Sequence, residues 1–488
     1  MSFSVFVGAP GHGQALVDDQ APQLADVRRY GQHLVRRFVS VARAADQPTF
    51  RSLLTDHLGP SVHDLPVTLE RWPAYEQVNV QGALDVVLGE HEADARVVGV
   101  SGHRHHGPFG IADLLGNEPH FGGPRPGNVT RTALPSGPGG ETRECLSTAV
   151  ILLGAGEDRM ALLLRGPDPE SGLAEVTLEI IAVRAEVAQE LGLRLRRLAL
   201  ERNVYRGHVV SFGRDMFGER ASALRFRERP RMAREELILP AATFEDLRRQ
   251  VVGVARNRER LRAAGQHLKR GMLLYGPPGV GKTHSVRYLI SELVDTTVVE
   301  LTGETLHGIR EACSVARALQ PAMIVVEDVD LIAEERSHYG GETPLLFTLL
   351  NEMDGLDEDA DVVFLLTTNR ADLLEPALAS RPGRVDQAVH VELPDRESRR
   401  RLVELYRGGL DVDLGRMDDV LDRTDGVTAS FLKELLRRAA VVAADRDDQD
   451  AGTSLQVTAD DLDAALDDLL DTRNQMTRAV LGYRDPEA

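Results

Sequence analysis

The chain has 488 residues, 76 of them acidic and 57 basic, for a net charge of −19. That balance disfavours broad binding to nucleic acid or to anionic membrane surfaces. Apolar content of 42% suits the cores of about three domains.

Two cysteines, Cys145 and Cys313, exclude a disulfide framework and a four-cysteine zinc site. No run approaches 18 apolar residues, and Met1–Val7 lacks a basic leader. The expectation is a cytoplasmic protein with no membrane span.

Residues 1–121 read as an α+β region. Ser2–Val7 is strand-like, and Gly8–Ala15 imitates a phosphate loop, but Gln14 and Ala15 replace the cation and the metal-binding hydroxyl. Leu24–Ala45 carries Val27, Leu34, Phe38 and Val41 at helical spacing. His103, His105 and His106 have no further ligand at metal spacing. His91-Glu92 lacks the second histidine of a zinc-protease helix. Lone Trp72 beside Pro73 is expected in a core or a packed turn.

Residues 122–143 are rich in Gly and Pro and read as a linker. Residues 144–235 read as an accessory region. Ser147–Leu153, Met160–Arg165 and Leu173–Ala182 form a β-meander there, followed by a helix over Arg184–Arg202 broken or weakened at Gly192.

Residues 236–393 read differently. Thr243-Phe244-Glu245-Asp246 is a capping box opening a helix that Gly265 stops. The apolar run Met272–Tyr275 leads into Gly276-Pro277-Pro278-Gly279-Val280-Gly281-Lys282-Thr283, followed by a helix over Ser285–Leu293. This strand–loop–helix context is what a Gly-x4-Gly-Lys-Thr loop requires. Its backbone N–H groups and the helix N-terminus make an anion cradle. Lys282 would reach the β- and γ-phosphates and Thr283 would hold Mg²⁺. Only three of the 57 basic residues are lysines, yet one stands here, where a compact ammonium is wanted.

Thr296–Leu301 is a second strand and Ile309–Leu319 a helix. Ala322–Asp330 reads as a buried apolar strand ending in acids, with Glu327-Asp328 at the strand end suited to handling metal and water. Thr343-Pro344 starts another helix. Val362–Thr367 runs into Thr368-Asn369, and Arg381-Pro382-Gly383-Arg384-Val385-Asp386 follows. Residues 394–475 read as a helical lid, with helices at Arg396–Tyr406, Ser430–Ala444 and Thr458–Leu470. Residues 476–488 are a tail.

These four motifs in order resemble the classical AAA family of ATPases, over roughly residues 236–475. The resemblance implies an α/β fold: a P-loop αβα sandwich with a five-stranded parallel sheet and a C-terminal helical lid, here preceded by an α+β accessory domain. It implies ATP and Mg²⁺ as cofactors and a homo-hexameric ring. By motif, Asn369 would position the lytic water, and Arg381 and Arg384 would be arginine fingers acting on the neighbouring subunit's nucleotide. The turn Gly426–Phe431 resembles the one that lies near the adenine and ribose.

Two features depart from the family pattern. The acidic pair runs Glu327-Asp328 rather than Asp then Glu. Glu327 would sit on Mg²⁺ through water, and Asp328 would polarise the lytic water with a reach about 1.5 Å shorter. The loop after the second strand, Thr302–Gly308, is short and carries no aromatic residue to grip a substrate. Both features resemble the branch of the mitochondrial AAA chaperone that moves a folded Rieske protein. The sequence therefore supports a hexameric remodelling motor acting on a protein client it does not name. The alternative is a slow-turnover, nucleotide-dependent switch or scaffold.

Overall fold

Strands and helices follow one another through nearly all of the residues described in this computed structural model. Those residues are 49–102, 109–116, 123–168, 172–213, 223–334, 345–372, 385–446 and 455–470. The Gly8–Ala15 loop, the Leu24–Ala45 helix, His103, His105, His106, Thr343-Pro344, Arg381, Arg384 and the tail lie outside them.

The first unit is an antiparallel sheet. In chain order its elements begin with α1 (Phe50–Leu58), β1 (Val67–Pro73), α2 (Gln77–Glu90), β2 (Arg96–Ser101) and α3 (Ile111–Leu115). Then come β3 (Arg125–Gly127), β4 (Arg131–Pro135), β5 (Thr142–Leu146), β6 (Thr148–Leu153), β7 (Met160–Arg165), β8 (Glu175–Ala182) and α4 (Ala185–Glu201). Six strands pair in the order β1-β8-β7-β6-β2-β3, while β4 and β5 form a separate hairpin. The meander over β6, β7 and β8 is present, in the register Val150↔Leu163 and Leu162↔Ile180.

β6 and β7 are apolar on both faces because both faces are covered. Leu162, Leu164 and Leu178 pack under α2 and α4, while Val150, Leu152 and Leu163 pack under α1 and α3. Trp72 is buried in the first of these cores, with the Arg196 guanidinium over its ring.

Two expectations are corrected here. The 122–143 segment is not simply a linker: its described part supplies β3, paired with β2, and β4, paired with β5. Such short strands tolerate Pro126 and Pro135 where a long central strand would not. Helix α4 runs unbroken through Gly192. A Cβ at this glycine would lie 2.7 Å from Glu70 Oε1, the movable end of a side chain.

The second unit is the αβα sandwich. Its sheet contains β9 (Val209–Gly213), β10 (Ala223–Arg227), β11 (Arg270–Tyr275), β12 (Thr297–Leu301), β13 (Ala322–Val326), β14 (Val362–Thr368) and β15 (Gln387–His390). The order is β10-β9-β12-β13-β14-β11-β15. Five parallel strands, β12 to β15 with β11, are the expected set. The sheet is nevertheless wider. β9 adds in parallel to β12, with Val298 opposite Val209, and β10 pairs antiparallel to β9.

Helix α5 (Ala241–Arg248) starts at Ala241, not at the Thr243 capping box, with Pro240 as its cap. Buried Leu237 and Leu239 draw the chain onto the sheet just before it. α6 (Lys282–Glu292) covers the same face as α5. α7 (Ile309–Ala318) and α9 (Leu345–Asp354) cover the other face, with α8 (Val329–Glu334) between them in sequence.

The lid is α10 (Arg396–Tyr406), α11 (Met417–Arg423), α12 (Ala429–Arg446) and α13 (Ala459–Leu470) around its own core. Thr458 and Asp461 form the expected capping box at α13, each side chain accepting the other residue's backbone N–H.

Candidate active site

β11, β13 and β14 run parallel, so their C-terminal ends open at one edge. Register places Val326 beside Leu366 and Tyr275 beside Thr368. That brings the 276–283 loop, Glu327-Asp328 and Thr367-Thr368-Asn369 together at one sheet edge.

The loop is a cradle only because glycine occupies its corners. A Cβ on Gly276 would strike the carbonyl oxygen of Val391. Gly279 has φ +80°, and a Cβ there would meet Ser430 Oγ at 2.8 Å. Gly279 O accepts from Ser430 N at 3.2 Å. The Gly426–Phe431 turn of the lid thus lies on the loop.

Lys282 is 7% exposed, and its ammonium spends all three donors. It donates to Gly276 O at 2.9 Å, Pro277 O at 2.8 Å and Asn369 Oδ1 at 2.8 Å. Burial pulls its pKa down, and the charges of Asp328 and Asp330 work against that pull. Asn369 Nδ2 donates to Asp328 Oδ1 at 3.3 Å. One amide therefore spans the buried lysine and the acid.

Asp328 has φ +52°, a left-handed backbone that aspartate tolerates better than most residues. Its N–H donates to Thr367 Oγ1 at 3.1 Å. Glu327 accepts a hydrogen bond from the Thr283 hydroxyl; burial raises the Glu327 pKa, and that bond works in the opposite direction.

Sequence reasoning overlooked three residues. Thr367 and Thr368 end an otherwise apolar strand, and Asp330 stands two residues past Asp328. Thr368 Oγ1 donates to Asp330 Oδ1 at 2.9 Å. The available signal was two hydroxyls closing a buried strand beside an acidic run. The placement of Arg381 and Arg384 falls outside the described residues.

A groove of about 1610 Å³ opens beside α6. His284 and Arg287 form one wall, the Arg227–Met232 segment another, and Leu405 and Tyr406 of the lid a third.

A glycine cradle, a three-donor ammonium and a hydroxyl–carboxylate pair suit a Mg²⁺–nucleotide. The comparisons with known proteins agree. Residues 272–393 match the model of the "ATPase family associated with various cellular activities (AAA)".

The chain carries an AAA ATPase domain.

ATP and Mg²⁺ are the cofactors of such a domain. Over 229 residues, 44% of this chain and 34% of the relative, it is 37% identical to ATP-dependent zinc metalloprotease FtsH 2 of Sphaerobacter thermophilus. It is 32% identical over 231 residues to FtsH of Thermus thermophilus, covering 42% and 36% of the two chains. With the Cell division cycle protein 48 homolog of Archaeoglobus fulgidus it shares 30% identity over 249 residues, 46% and 33% of the two.

The chain spans about a third of the length of these relatives. Among the described residues no helix is long and apolar enough to cross a membrane, and no group of three or more His, Cys, Asp or Glu could hold a metal ion.

Proposed function

We propose that this AAA protein hydrolyses ATP to remodel a protein client, as a homo-hexamer in the cytoplasm. The observation that carries the reading is the continuous link from Lys282 through Asn369 to Asp328 beside the glycine cradle. Supporting context comes from the relatives, which are described as ATP-dependent. Both cysteines are buried free thiols, as suits a reducing compartment.

In this reading the backbone N–H groups of Gly279, Val280 and Gly281 bind the phosphates. Lys282 exchanges its carbonyl acceptors for phosphate oxygens. Thr283 and Glu327 hold Mg²⁺, which supplies charge neutralisation at the phosphates when bound. Asp328 accepts the proton of the attacking water, and Asn369 orients that water. Arg381 and Arg384 of one subunit serve the site of the next. The groove ending at Leu405 and Tyr406 takes the base and ribose.

A second reading is a slow-turnover switch that does not thread its client. It is favoured by the segment after β12. Gly303–Gly308 forms two turns of 3₁₀ helix directly into α7, with Leu306 buried.

ATPase rate measured against protein concentration separates the two. A motor shows turnover that rises steeply on assembly and is stimulated by a client. Low, concentration-independent turnover selects the switch. Asp328→Asn should retain ATP binding and lose hydrolysis by about 100-fold or more, and full activity in that variant removes Asp328 from the mechanism.

A further inference from the structure

Asp330 opens α8 and takes no part in the scheme above. Its Oδ1 accepts from Thr368 Oγ1 at 2.9 Å and from the Asn369 backbone N–H at 3.3 Å. Thr368 is fully buried, and its Oγ1 in turn accepts from Arg370 N at 2.9 Å. One carboxylate therefore anchors the chain where β14 ends.

The anchored residue is the one whose amide spans Lys282 and Asp328. Asn369 is itself exposed, so no wall of packed side chains sets its position. Its placement rests on its two amide hydrogen bonds and on the backbone beneath it. A carboxylate holding both the neighbouring hydroxyl and Asn369's own N–H leaves that backbone little freedom.

We propose that Asp330 is a positioning residue: it holds the Thr368-Asn369 backbone so that the Asn369 amide faces Lys282 on one side and Asp328 on the other. This rests on the ATPase reading above.

The test uses the full chain and reads nucleotide Kd, KM and kcat. Asp330→Ala should lower kcat about 10- to 100-fold, the scale of a small misplacement of a reacting group. Nucleotide Kd should stay within about threefold, because the cradle is untouched. Asp330→Asn should keep kcat within about threefold of wild type, since its amide oxygen can accept both bonds. Asp330→Ala combined with Asn369→Ala should be no slower than Asn369→Ala alone, as residues acting through one another are not additive.

Additive losses overturn the assignment, as do an unchanged kcat in Asp330→Ala or an Asp330→Asn variant as slow as Asp330→Ala. Should Asp330→Ala fail to fold, Thr368→Val removes one of Asp330's two bonds, together with the acceptor of Arg370 N, at nearly the same side-chain shape, and its additivity with Asn369→Ala is read the same way. An inert wild-type chain overturns the ATPase reading together with this assignment. An active wild type with additive losses overturns the assignment alone.

Discussion

Asp328 shows how much a single residue's meaning depends on its backbone. The sequence shows an acid one methylene short at the end of a strand. In the structure its left-handed φ and the Thr367 hydroxyl set where that short side chain starts, and Asn369 meets it. Glu76 is a different case. It is a half-buried carboxyl of the first unit, accepting from Asn79 and twice from Asn203. Burial raises its pKa, and the two amides pull it back. A raised carboxyl pKa means the fold favours the protonated form. The stability it contributes is complete below the ordinary glutamate range and is lost as pH rises through the raised value. Thermal melts should therefore show the difference in Tm, Glu76→Gln minus wild type, growing in the variant's favour from pH 4 to pH 8. A difference flat with pH would mean Glu76 keeps an ordinary pKa.

Helix α6 carries the cradle at its N-terminus, and its far end is held by an arginine from outside the core motifs. The Arg229 guanidinium donates to Ile290 O and Leu293 O at 2.9 Å, to Gly207 O at 2.9 Å and to Thr296 O at 2.8 Å. One fork thus joins the end of α6 to the residues entering β9 and β12. Burial lowers its pKa, and the charge of Asp295 opposes that. Replacing Arg229 by Ala should lower stability by about 2 kcal/mol, since four part-buried carbonyls lose a charged donor. Lys should rescue little of this, because a point charge with three donors cannot reproduce the fork. Chemical denaturation measures both, and a loss below about 0.5 kcal/mol would show the clamp to be incidental.

At the scale of the whole molecule, the two units share one core. Tyr75, Val78 and Cys145 of the first unit are buried with Tyr205, Phe212 and Ile309 of the second. Tyr205 OH donates to Tyr75 O at 2.8 Å across that seam. The sandwich also reaches back past residue 236 to include β9 and β10. A fragment spanning 236–488 would leave the β12 ladder edge open and should aggregate, whereas 202–488 keeps that edge paired and should be clearly more soluble. Equal solubility in sedimentation and scattering would show that β9 and β10 are dispensable.

The sequence by itself determined the local parts. The glycine loop, the central strands and the lid helices are set by spacing, by apolar runs and by glycine where the backbone demands it, all readable over a few residues. Only the tertiary structure decided that β9 widens the sheet, that Gly192 sits inside an intact helix, and that Asp330 and Thr368 stand beneath Asn369. Each of those depends on a partner 38 or more residues away along the chain, as Asp330 and Thr368 are. Such pairings arise from long-range packing and hydrogen bonding, which no local window of residues encodes.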